Sequence, residues 1–129
     1  VAHVLDQTGK KAKPRLNGFA KRDLMALERV REAIHAAPYR DFTLQQLASD
    51  AGMSLSSLKA KFPKAFGQTV FAYLRGVRLD YARDRIVHDG WTVSEAAHFV
   101  GYRHVGNFSK AFRIRFGVTP LEVRRRQRP

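Results

Sequence analysis

Thr43-Leu44-Gln45-Gln46-Leu47-Ala48-Ser49-Asp50-Ala51-Gly52 is answered 49 positions later by Thr92-Val93-Ser94-Glu95-Ala96-Ala97-His98-Phe99-Val100-Gly101. In each copy a threonine stands three residues before Gln or Glu. That is the capping-box pattern, which closes two of the open amide hydrogens at a helix start. Ala48 and Ala97 are small enough to let a second helix cross closely, and Gly52 and Gly101 stand where the backbone must reverse. With one extra residue in the second copy, Phe62-x-x-x-Phe66-Gly67-x-Thr69 then matches Phe112-x-x-x-Phe116-Gly117-x-Thr119. Each copy therefore encodes helix, glycine turn, helix, with a pair of phenylalanines anchoring the second helix from behind. Its opposite face is left for a partner, which in a helix-turn-helix is the major groove.

Working outward, Asp23 is a plausible N-cap, and Leu24, Leu27, Val30 and Ile34 recur at helical spacing up to Pro38, with Glu28, Arg29, Arg31 and Glu32 on the other face. Thr69 opens a longer apolar-faced helix from Val70 to about His88, weakened slightly by Gly76 and ended by Asp89-Gly90. Thr119-Pro120-Leu121-Glu122 starts a last short helix, with Pro at its first position. No strand-like alternation competes. The expectation is an all-α, homeodomain-like fold of about seven helices. Residues 1–22, containing Gly9-Lys10-Lys11-Ala12-Lys13-Pro14-Arg15, read as a basic linker. Two helix-turn-helix subdomains, 23–68 and 91–129, are joined by a connecting helix at 69–90. At about 28 Å that helix approaches the roughly 34 Å between successive major-groove faces.

Charge narrows the partner. Lys and Arg number 24 against 11 Asp and Glu, a net charge of +13, which favours polyanions. The chain has no cysteine, so disulfides, thiolate zinc sites and cysteine nucleophiles are excluded. No run of about 18 apolar residues is present to span a bilayer. The five histidines form no HExxH motif or ligand cluster, and no glycine-rich phosphate loop occurs. The expectation is therefore no enzyme, no metal and no cofactor. Val1-Ala2-His3-Val4 has neither an initiator Met nor a secretory layout. It reads as an interior cut with an effector-binding or dimerisation domain upstream, in a cytoplasmic protein.

The outer face of the second copy carries Arg103, His104, Asn107, Lys110, Arg113 and Arg115, followed by Arg124, Arg125, Arg126 and Arg128, against Glu122 alone. The basic tail has two readings, a DNA-backbone contact or a solvated end. Pairs such as Asp80/Asp84 read as solvated surface, His98 as a half-buried polar residue, and Trp91 as a wedge between the connecting helix and the second unit. Two other functions compete with duplex reading. One is a non-specific or architectural nucleic-acid binder driven by charge. The other is a protein-interaction module touching the transcription machinery, such as RNA polymerase, through Glu28 and Glu32.

From about Leu24 to Arg125 the chain resembles the DNA-binding domain of AraC/XylS-family transcription regulators. The resemblance is carried by Ala96-Ala97-x-x-Val100-Gly101-Tyr102, Asn107-Phe108-Ser109-Lys110-Ala111-Phe112-Arg113-x-x-Phe116-Gly117-Val118-Thr119-Pro120 and Arg78-Leu79-x-x-Ala82-Arg83. It implies a seven-helix fold in which the second helix of each unit enters a major groove of double-stranded DNA. The implied base contacts are Ser56, Lys59 and Ala60 in the first unit and Val105, Gly106, Asn107 and Lys110 in the second. Asn107 suits adenine N6/N7, Lys59 and Lys110 suit guanine or phosphate, and Ala60 suits a thymine methyl. Gly106 has no side chain to offer, which shifts base contact towards Arg103 and His104. Thr43, Arg78, Thr92, Ser109 and Arg113 are expected at phosphates, where capped helix starts offer amides and Arg a bidentate fork. Leu58-Lys59-x-x-Phe62 with Thr69-Val70-Phe71-x-Tyr73-Leu74 is similar to the siderophore-responsive subgroup. One departure stands out. Pro63 inside the first reading helix costs about 3 kcal/mol unless the helix kinks or stops there, so the first unit is expected to read fewer bases.

Overall fold

Caps and breakers fix the helix boundaries. The structure, a computed structural model, describes residues 4–5, 11–12 and 18–126. Among these residues lie seven helices: α1 (Lys21–Ala36), α2 (Leu44–Ala51), α3 (Leu55–Phe66), α4 (Val70–Asp89), α5 (Val93–Phe99), α6 (Val105–Phe116) and α7 (Pro120–Arg126). A minimal antiparallel ladder, β1 (Val4–Leu5) with β2 (Lys11–Ala12), pairs Val4 with Ala12 and Leu5 with Lys11. The expected linker thus contains strand pairing, while the fold is all-α, as expected.

Two compact units divide the chain. The first holds residues 1–36 and 42–73, the second residues 37–41 and those from Leu74 onward. The connecting helix is therefore not a separate segment. Its first turn belongs to the first unit and the rest of α4 to the second. The loop 37–41 between α1 and α2 also belongs to the second unit.

In the first unit α1, α2 and α3 pack on one another, because each carries an apolar stripe at helical spacing. Leu27, Val30 and Ile34 of α1 and Leu58 and Phe62 of α3 are almost wholly buried. Phe62 lies 4.7 Å from Phe66 and 5.6 Å from Tyr73, centroid to centroid. Each such aliphatic or phenyl side chain contributes about 1.5–3 kcal/mol on burial. In the second unit α5, α6 and α7 pack together, and Leu79, Ala82 and Ile86 of α4 complete a core around Phe108 and Phe112. Phe112 stands 5.7 Å from Phe108 and 4.5 Å from Phe116. Trp91 is half-buried against this cluster, edge-on to Phe99 at 5.0 Å.

Three expectations are corrected. Helix α1 begins at Lys21 rather than after an Asp23 cap, with the Leu24 amide donating to the Ala20 carbonyl at 3.1 Å. Asp23 sits inside the first turn, where its carboxylate takes a 2.7 Å bond from Lys61 Nζ, and that bond lowers its pKa. Arg31 belongs to the buried side rather than the solvated face, ion-paired to Glu28 three residues earlier. Helix α3 runs through Pro63 to Phe66 without stopping. The missing Pro63 amide leaves only the carbonyl of exposed Lys59 without its helical partner, where water can take its place.

Candidate nucleic-acid interface

The two turns between helices are built alike. Gly52 (φ 76°) and Gly101 (φ 97°) occupy the left-handed region, which an L side chain enters only at a cost. Across them the Met53 amide donates to the Ala48 carbonyl at 2.8 Å and the Tyr102 amide to the Ala97 carbonyl at 2.9 Å. Ala48 and Ala97 are buried beneath the crossing helix. Helices α3 and α6 are each 12 residues long. Both are closed by a glycine amide donating at 2.8 Å, to Pro63 in one and Arg113 in the other. Pro63 therefore does not shorten the first reading helix relative to the second.

The starts differ. Thr43 Oγ1 accepts from the Gln46 amide at 3.1 Å, but the Gln46 carboxamide donates to Asp50 instead of returning to the cap. The expected first capping box is half made. Thr92 and Glu95 make the full reciprocal pair at 3.1 and 2.8 Å. Thr119 and Glu122 do the same at 3.2 and 3.1 Å. The backbone and side-chain bonds from Thr92 lower the Glu95 pKa, and those from Thr119 lower that of Glu122. Ser54 caps α3 through the Ser57 amide at 3.1 Å. His104 stands at the N-cap of α6 without a side-chain cap bond.

Of the expected base-contact residues, Ser56, Lys59 and Ala60 are exposed on α3, opposite buried Leu58 and Phe62. Asn107 and Lys110 are exposed on α6, opposite buried Phe108 and Phe112. Arg103 and His104 are exposed just before α6, and Val105 is half-buried at its first position. Thr43 and Thr92 are exposed helix caps whose hydroxyls accept one bond each. Ser109 is half-buried and Arg113 exposed. Ser109, Lys110 and Arg113 meet Ile114 and Thr119 around one shallow depression.

Several basic residues have other work. Arg78 is half-buried, with Nε donating to the Pro38 carbonyl at 2.8 Å and NH2 to the Arg40 carbonyl at 2.7 Å. Burial lowers its pKa. With two of its donors it fastens the loop 37–41 within the second unit. Arg115, expected on the outer face, donates from Nε and NH2 to the two Asp80 carboxylate oxygens at 2.8 and 2.9 Å. It crosses so close to α4 that a Cβ on Gly76 would lie 2.8 Å from its NH1. Asp80 and Asp84 are exposed, as read from the sequence, and Asp80 is also the ion-pair partner of Arg115. Arg124 donates to the Trp91 carbonyl at 3.2 Å, and Arg125 and Arg126 continue α7; Arg128 lies outside the described residues. His98 is exposed rather than half-buried, with Nδ1 3.4 Å from Ser94 Oγ. No helix among the described residues is long and apolar enough to cross a membrane.

A family model described as a helix-turn-helix domain matches residues 47–126. The chain belongs to the AraC-type helix-turn-helix family. Relatives agree with this membership. The chain is 37% identical over 99 residues to the transcriptional activator NphR of a Rhodococcus species, covering 76% of this chain and 28% of that protein. A probable AraC family transcriptional regulator from Rhodopseudomonas palustris matches the fold with a TM-score of 0.74 at 30% identity, over 81% of this chain and 98% of that one. The DNA-binding domain of AdpA, solved in complex with a target DNA, matches at a TM-score of 0.70 and 23% identity over 78% of this chain and 91% of that one, a likeness of fold. The chain spans 28% to 40% of the length of the curated relatives it matches. DNA binding in transcription regulation is the functional class of this AraC-type domain.

Proposed function

We propose that this AraC-type domain reads duplex DNA sequence with the outer faces of both α3 and α6. Asn107 and Lys110 carry most of the discrimination, and Lys59 with Ser56 and Ala60 carries less. The observation behind this reading is that both helices bury one face on paired phenylalanines and leave a full-length outer face with no role in the core. Thr43 and Thr92 at helix starts, with Ser109 and Arg113, are proposed to hold phosphates. Arg103 and His104 are proposed to supplement Asn107, while Arg78 is assigned to the loop it fastens. The domain acts in the cytoplasm, within a longer polypeptide that supplies effector binding or dimerisation. RNA polymerase is the proposed protein partner. Of the carboxylates offered for that contact, Glu28 is engaged by Arg31, which leaves Glu32.

Selection of bound sequences from a random duplex pool at physiological salt tests the reading. A defined motif is expected, and equal affinity for selected and random duplexes would overturn it. The net charge of +13 favours one rival, non-specific binding. That rival would show steep salt dependence and no motif.

A further inference from the structure

Ile114 is 79% exposed, whereas the other exposed large apolar side chains among the described residues range from 37% to 51%. Nothing in the packing of the second unit uses it. At the corresponding place on α3 stands Lys64, also exposed, a better helix former than isoleucine. Neither helix formation nor contact with water accounts for an isoleucine here.

Its position gives it a use. Asn107, Lys110 and Ile114 fall at i, i+3 and i+7 of α6 and so share one stripe. The stripe lies away from buried Phe108 and Phe112. Ile114 also borders the depression lined by Ser109, Lys110, Arg113 and Thr119, whose hydroxyls and cations suit the sugar-phosphate edge of a groove. From Lys110 to Ile114 the helix rises about 6 Å, close to two base steps of about 3.4 Å. Ile114 therefore addresses a base pair beyond the one Lys110 meets. A β-branched side chain on a helix keeps essentially one χ1 rotamer, so it offers a rigid apolar surface. The only apolar group on a base edge in the major groove is the thymine 5-methyl.

We propose that Ile114 is a specificity-determining residue of α6, contacting a thymine 5-methyl one turn beyond Lys110. This rests on the reading of α6 as a groove-entering helix. The test uses the duplex motif selected by the unaltered chain, with each thymine replaced in turn by deoxyuridine, against the chain and its Ile114→Ala variant. At one thymine, loss of the methyl is expected to weaken the chain about fourfold, as burial of one methyl implies, and to leave the variant unaffected. Pool selection with the variant should show relaxed preference at that position alone, with an unchanged thermal melt. Identical deoxyuridine penalties in the two proteins would overturn the proposal. So would a uniform loss of affinity by the variant on every sequence, the mark of a sugar contact. If the unaltered chain selects no motif, the groove reading itself fails. A motif that the variant leaves untouched removes Ile114 alone.

Discussion

Helices α3 and α6 have the same length, the same closing glycine and the same pair of phenylalanines behind them, yet they turn different chemistry outward. On α3 the outer face is Ser56, Lys59, Ala60 and Lys64; on α6 it is Gly106, Asn107, Lys110, Arg113 and Ile114. Core packing at near-crystalline density fixes what repeats. The outer face takes no part in the buried core and is free to diverge. The starts diverge too, a half-made box and a serine cap in the first unit against a complete box and an uncapped α6 in the second. The frame is therefore a property of the fold and the reading a property of each copy.

The equality of the frames is the easiest part to break. Phe62 and Phe112 are both wholly buried, so Phe62→Ala and Phe112→Ala should each cost about 3–5 kcal/mol in chemical denaturation. A cost below about 1 kcal/mol at either site would mean that unit does not rest on its phenylalanine pair. The inequality of the faces is tested next, by binding to the selected duplex and its single-base variants. Asn107→Ala should lose about 1–3 kcal/mol of discrimination at one base pair, and Lys59→Ala less. Arg113→Ala should weaken binding to all sequences alike and reduce the salt slope by about one unit. A larger effect at Lys59 than at Asn107 would reverse the ranking of the two units.

Most of the frame was legible in the sequence because caps, glycines and helical spacing are local signals. The seven helices, the turns at Gly52 and Gly101 and the cores behind α3 and α6 follow from them. What escaped depends on contacts between distant residues. Asp23 looked like a cap, but it lies inside α1, where Lys61 of α3, 38 positions away, pairs with it. Arg115 looked like an outward cation, but Asp80, 35 positions away, takes its Nε and NH2 donors. Nor does the sequence show that two donors of Arg78 are taken by carbonyls of the loop 37–41. Pro63 looked like a stop, yet a proline late in a 12-residue helix removes one bond that solvent can replace. Ile114 was overlooked although its spacing from Asn107 and Lys110 is visible in the sequence. Its exposure is what singles it out.

The caps give a finer contrast. Thr92→Ala should cost about 1 kcal/mol of stability at neutral pH. Gln46→Glu, which would complete the first box, should add a few tenths. The two boxes should also respond differently to acid. Because the Glu95 pKa is held below its ordinary value by its bonds to Thr92, its contribution is whole above the ordinary carboxylate range. That contribution fades as pH falls through the lowered value. Gln46 carries no such titration. Thermal melts should therefore show that Glu95→Gln flattens part of the acid loss of stability, whereas Gln46→Glu steepens it. Unchanged acid profiles in both variants would show that neither box matters to the folded state.

The smallest effect concerns a feature of the second unit alone, since α3 has buried Ala65 where α6 has Arg115. Two effects of similar size oppose each other at Gly76→Ala. Replacing a glycine inside a helix with alanine gains about 0.5–1 kcal/mol. The new Cβ would lie 2.8 Å from Arg115 NH1, so the guanidinium has to shift from its two bonds to Asp80. Those side chains are 42% and 51% exposed, and pairs in that setting contribute about 0.2–1 kcal/mol. The net change should therefore lie within about 0.5 kcal/mol of zero. Removing the opponent reveals the balance. In an Asp80→Asn background Arg115 is no longer pinned over Gly76, and the same alanine should become plainly stabilising in denaturant titrations. If it stays neutral there, the close approach to Arg115 is not what holds a glycine at position 76.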